Sequence, residues 1–117
     1  MGVFDQGEVS EGLLAVRATR EDGGCVIALD GEMDLSNASI AEEAVREALA
    51  DAPPRIVVDL RQLSFIDSTG IALLVRLLHE DDGADRLRFL PSQSQEVARA
   101  LRLTGVDEKL TLAEPPS

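Results

Sequence analysis

Residues 55–79, RIVVDLRQLSFIDSTGIALLVRLLH, constrain this chain more than any other stretch. Ile56, Val57 and Val58 begin an apolar run with the composition of a buried strand. Phe65 and Ile66 carry it into the turn Asp67-Ser68-Thr69-Gly70, and from Ile71 to Leu78 every residue but Arg76 is apolar. A strand passing through a polar turn into an apolar helix demands a layered α/β arrangement, because each element must bury its apolar side against the other. The turn also sets a chemical question. The first turn of a helix carries orphan N–H groups and the positive end of the dipole, so a negative group placed there is stabilised. Ser68 and Thr69 sit at that mouth. Taken alone, the turn leaves catalysis, phosphate binding and phosphorylation open.

The remaining segments supply partners for this unit. Met1 to Ser10 shows no sustained period and is expected to fray, as is the tail from Ala113 to Ser117. Leu14, Val16 and Ala18 alternate with Leu13, Ala15, Arg17 and Thr19, the pattern of a strand from Leu13 to Thr19 with one side wetter. Glu21-Asp22-Gly23-Gly24 turns the chain into a second apolar strand, Cys25 to Leu29, giving an antiparallel hairpin. The lone Cys25 is expected to be a small core residue. A helix to about Ala50 buries Ala41, Ala44, Val45 and Ala48 with Ile40 and Leu49 beside them, and Ser39 with Glu42 offers a capping box. Pro53-Pro54 hands over to the strand from Ile56 to Leu60, of the kind buried on both faces. The intervening helix makes this strand parallel to the one before it.

Beyond the central turn, Gly83 after Asp81-Asp82 closes the second helix. A short strand spans Leu87 to Leu90, and Ser92 with Gln95 offers another capping box. Val97, Ala100, Leu101 and Thr104 line a last helix that Gly105 stops, and Leu110-Thr111-Leu112 is a candidate edge strand. The expectation is one α/β domain, a mixed sheet of four to five strands covered by three or more helices.

Charge and composition narrow the function. With 22 acidic against 11 basic residues the net charge is −11, which repels a phosphate backbone, and three Phe without Trp or Tyr give bases no stacking platform. Nucleic acid is not an expected partner. No apolar run approaches the ~18 residues of a membrane span, and the acidic start lacks the features of a signal peptide. No membrane association is therefore expected, and the location expected is cytoplasmic. Asp30, Glu32 and Asp34 alternate as in a calcium loop, but Leu35 stands where that loop needs Gly and Ala41 where it needs Glu, so no metal is expected.

Hydrolysis requires a base near Ser68. The only imidazole, His79, lies eleven residues along the same helix, about 16 Å at 1.5 Å per residue, and the G-x-S-x-G pattern is absent. Asp67 is better suited to cap the helix than to catalyse. Phosphate binding lacks its glycines and lysine, since neither G-x-G-x-x-G nor a Walker sequence occurs. No catalytic residue and no cofactor emerge. A modifiable hydroxyl without catalytic machinery describes a substrate rather than an enzyme.

LSFIDSTGIALL, with GEMDLSNA upstream and Pro91, Val97, Leu101, Gly105 and Val106 spaced downstream, resembles the STAS domain of anti-sigma factor antagonists. The resemblance runs from about Leu13 to Leu112. It implies a STAS-like fold and a binding module that sequesters an anti-sigma factor with serine-kinase activity, so freeing a sigma factor. It further implies that the kinase phosphorylates Ser68, with Thr69 the second candidate acceptor, and that a serine phosphatase reverses this. By the same resemblance Asp34, Asp67, Ser68, Thr69, Gly70 and Ile71 form the partner-binding surface. Ala72 departs from the pattern, where many members carry a second Gly. The alternative is a STAS subunit of another assembly, such as a lipid-transport complex or a stress-signalling scaffold, in which Ser68 only caps a helix.

Overall fold

A computed structural model of the chain describes residues 6–21, 23–80 and 86–113. Nine elements follow one another: β1 (Gln6–Glu11), β2 (Leu14–Glu21), β3 (Gly24–Met33), α1 (Ala38–Ala50), β4 (Ile56–Ile66), α2 (Ser68–Glu80), β5 (Leu87–Leu90), α3 (Gln95–Leu103) and a closing 3-10 turn, Val106–Lys109. The strands lie in sequence order in one mixed sheet. β1, β2 and β3 pair antiparallel, while β3 with β4 and β4 with β5 run parallel. Leu112 adds a single parallel bridge to Phe89, so the expected edge strand is one residue wide. This is the α/β arrangement expected, with three α-helices.

One hydrophobic core holds the layers together. Leu14, Val16 and Ala18 of β2, Ile27, Leu29 and Met33 of β3, and Ile56, Val58, Leu60, Leu63 and Ile66 of β4 present one face of the sheet to the helices. Alanines 38, 41, 44 and 48 line the inner face of α1, allowing its backbone to approach the sheet closely. Leu73, Leu74 and Leu77 bury the inner face of α2, and its wide apolar surface is mostly consumed by packing, with Ile71, Val75 and Leu78 half-buried against the core.

Several sequence expectations are corrected. Gln6–Ser10, within the stretch expected to fray, pairs with β2, as does Glu11 after it. β4 is not buried on both faces, because Val57, Asp59 and Arg61 on the side away from the core are half-exposed. Neither capping box forms. α1 begins after Asn37, leaving Ser39 inside its first turn, and Ser92 Oγ donates to the Leu63 carbonyl (2.6 Å) while Ser94 caps α3 by accepting the Val97 N–H. Gly105 ends α3 with a left-handed backbone as expected, and the 3-10 turn after it carries buried Val106. Cys25 is only half-buried, although burial still pushes its thiol up. The cap expected at Asp81-Asp82-Gly83, the tail from residue 114 and the first five residues lie outside the described residues.

Two features fix how neighbouring elements meet. Gly31 has φ +112, and a methyl group on it would overlap the Leu13 carbonyl oxygen, so β2 and β3 can approach there only with glycine. Across the outer surface of α1 and α2, Glu42 accepts from Arg46 (2.8 Å) and from Arg76 (3.3 Å), and Arg46 also reaches Glu80 (2.8 Å). The hydrogen bond from Arg76 and then that from Arg46 hold the Glu42 carboxyl below its ordinary value, outweighing its partial burial.

Two outcomes follow. Gly31→Ala is expected to lower unfolding free energy by about 3 kcal/mol in urea titrations, the scale of enforced backbone strain. Because the Glu42 value is depressed on folding, its contribution is present above the ordinary carboxylate range and is lost as pH falls through the folded-state value. Glu42→Gln should therefore melt below the parent at pH 7, and the difference should shrink as the pH is lowered into the acid range, as read by circular dichroism.

Candidate functional site

Asp67 connects α2 to the rest of the molecule. Its backbone N–H donates to the Met33 carbonyl (3.2 Å), continuing the β3–β4 ladder, and its carbonyl accepts from Ile71 in the first helical bond of α2. One carboxylate oxygen accepts the Gly70 N–H (3.1 Å), the bond of a helix N-cap, and the other accepts the Leu35 N–H (3.1 Å) from the loop between β3 and α1. A single side chain thus clips a loop 32 residues away in sequence to the mouth of α2.

The loop is ordered from within. Asp34 accepts from both the backbone N–H (2.9 Å) and the hydroxyl (2.6 Å) of Ser36. Asn37, the one buried polar residue among those described, accepts the Asp34 N–H (2.9 Å) and donates to the Glu32 carbonyl (3.0 Å). Asn37 stands at the N-cap position of α1 without a side-chain cap bond; its amide braces the loop instead.

On this platform the residues of the turn separate. Ser68, the first residue of α2, is exposed, and among the described residues no group hydrogen-bonds its hydroxyl. Thr69 is half-buried. Gly70 is buried, and a methyl there would strike Ile66 Cγ1 at 2.6 Å and Met33 at 3.1 Å, so glycine lets the helix start against the end of β4. Ile71 packs half-buried on the core. The hydrogen bonds bring the Asp34 loop to this turn, while His79 lies in the last turn of α2. Among the described residues no group of three or more His, Cys, Asp or Glu side chains could hold a metal ion, and no helix is long and apolar enough to cross a membrane.

Three apolar side chains around this end are exposed, Leu35 at 78%, Leu13 at 66% and Phe65 at 38%; the alternation of the first strand put Leu13 on its wetter face, and sequence reasoning missed the other two. Their types were legible as core candidates, and the only available signal was their place in turns or at strand ends.

Comparison with known proteins bears on this arrangement. A family model described as the STAS domain matches residues 15–115. The anti-sigma-F factor antagonist RsfB of Mycobacterium tuberculosis is 29% identical over 99 residues, covering 85% of this chain and 80% of the relative. An anti-sigma-B factor antagonist of Staphylococcus aureus is 26% identical over 101 residues, covering 86% and 94%. The crystal structure of an anti-sigma factor antagonist from Mycobacterium paratuberculosis superposes with a TM-score of 0.79 at 25% identity, covering 92% of each chain. The antagonist SpoIIAA in its unphosphorylated form shares the fold, with a TM-score of 0.69 at 22% identity over 85% of this chain and 88% of that one.

Removing the Asp67 clip gives a direct stability test. Asp67→Ala loses a cap, typically about 0.5–2 kcal/mol, and leaves the Leu35 N–H without its acceptor. The expected cost is about 2 kcal/mol in denaturant titrations, with faster amide exchange at both Leu35 and Gly70. Ser68→Ala, whose hydroxyl has no such partner, should stay within about 0.5 kcal/mol of the parent.

Proposed function

The chain belongs to the STAS domain family, and from that premise we propose that it is an anti-sigma factor antagonist whose binding is switched by phosphorylation of Ser68. In this reading the domain is a regulatory binding module, not an enzyme. It sequesters an anti-sigma factor with serine-kinase activity, which releases the sigma factor. That kinase transfers phosphate from ATP to Ser68, and a serine phosphatase restores the binding form.

The observation that carries the proposal is the contrast within the turn. Ser68 presents an exposed hydroxyl with no internal partner, while Thr69 beside it is half-buried and Asp67 already caps the helix. A kinase can reach Ser68 without disturbing the fold, which places Thr69 second. The same contrast weighs against the scaffold alternative in which Ser68 merely caps α2, since the Asp67 carboxylate holds that position.

The switch follows from electrostatics. Phosphorylation adds about −1.5 to −2 charges and three acceptor oxygens at a helix N-terminus, where backbone N–H groups tolerate them. Asp67 adjoins the new group in sequence and the Asp34 loop is clipped to the same turn, so the contact surface becomes strongly anionic. A partner packed closely on Asp34, Asp67, Ser68, Thr69, Gly70 and Ile71 would have to desolvate that dianion, and affinity falls without refolding.

Incubation with the anti-sigma factor kinase and ATP should add one phosphate, located on Ser68 by intact mass and peptide fragmentation. Ser68→Ala should bind the kinase like the parent and remain unphosphorylated, and Ser68→Asp should bind at least tenfold more weakly. Equal binding of Ser68→Asp and the parent would refute the switch. An active kinase that leaves Ser68 unmodified would favour the scaffold reading.

A further inference from the structure

Six large apolar side chains are exposed among the described residues, and Leu13, Leu35 and Phe65 gather at the end of the sheet that carries Ser68. The hydrogen bonds show how. The Glu32 N–H donates to the Leu13 carbonyl (2.9 Å), and Glu32 pairs in register with Phe65, so Leu13, in the turn just before β2, Glu32 of β3 and Phe65 of β4 form a row. Neighbouring strands lie about 4.8 Å apart, which sets the ends of this row about 10 Å from each other. A methyl on Gly12 would come within 3.4 Å of Asn37 Nδ2 and 3.5 Å of Ser36 Oγ, so the β1–β2 turn abuts the loop bearing Leu35. Asp67 ties that loop to the mouth of α2.

Single exposed leucines are ordinary on protein surfaces, but three large apolar groups from three segments that meet at the end of the sheet bearing Ser68 make a patch there. We propose that Leu13, Leu35 and Phe65 are the apolar anchors of the surface that docks the anti-sigma factor, extending it from the mouth of α2 onto the first hairpin turn. This rests on the reading of Ser68 given above and adds the chemistry of the partner. The docking face it requires is apolar with a basic border. Glu11, Glu32, Asp34 and Asp67 surround the patch in the chain, and among the described residues none has a cationic side chain at ion-pair distance. Such an acidic border selects a basic partner face and speeds its approach. It also opposes a second copy of this chain, whose net charge of −11 would bring like charges together.

The test measures affinity of the unphosphorylated protein for the same anti-sigma factor kinase by titration calorimetry. Leu13→Asp and Leu35→Asp are expected to bind at least tenfold more weakly, about 1.4 kcal/mol. Leu103→Asp, 74% exposed on α3 away from the patch, should bind like the parent. Circular dichroism melts should find all three variants folded like the parent. If the kinase binds and phosphorylates Ser68 of the parent while Leu13→Asp and Leu35→Asp bind equally well, the proposal is overturned and the switch stands. If the parent is neither bound nor phosphorylated, the switch itself falls and takes the docking surface with it. Should the parent sediment as a dimer that these two variants convert to monomer, the patch joins copies of this chain and the proposal is overturned.

Discussion

The Asp67 carboxylate is the interaction on which the rest of the candidate site depends. Its two oxygens face different tasks, one capping α2 through Gly70 and the other holding the Leu35 N–H of the loop after β3. Without it the helix mouth and the loop would be separate features of the surface. With it, they share one rigid frame that begins at the β3–β4 ladder, since the Asp67 N–H itself continues that ladder to Met33. The frame rests on the core below, where Met33 and Ile66 pair in register under Gly70.

Much of this was legible in the sequence because the relevant signals are local. The apolar periodicities of residues 14–18, 41–48 and 71–78 reflect faces that are buried, and the cap at Asp67 announces itself by preceding an apolar helix. What was illegible has physical reasons. β1 is exposed from Gly7 to Glu11, so it carries no alternation to read, and its pairing is supplied by β2. The choice of Ser94 over Ser92 as the α3 cap depends on the Leu63 carbonyl, 29 residues earlier, which takes the Ser92 hydroxyl. The second bond of Asp67 crosses 32 residues and leaves no trace in either local segment. Exposure of Leu13 and Leu35 is equally non-local, being the outcome of how the core was filled by others.

Charge on this molecule is unevenly used. On the outer face of α1 and α2, acidic groups are matched by arginine, as in the Glu42, Arg46, Arg76 and Glu80 network. Beside Ser68 the carboxylates are instead spent on backbone N–H groups, which orient them without neutralising them. That difference makes the end of the sheet sensitive to added negative charge in a way the helical face is not.

The clip has a further consequence for the timing of recognition. Ser68 lies in a short local segment, but its surroundings come from the first hairpin turn, the loop after β3 and the end of β4, and these meet only when the parallel β3–β4 pair has closed across α1. Parallel pairing of this kind joins distant segments and forms late relative to local hairpins and helices. A nascent or partly unfolded chain therefore displays the serine without the surface around it. Any protein that reads the whole surface would also be inspecting whether folding is complete.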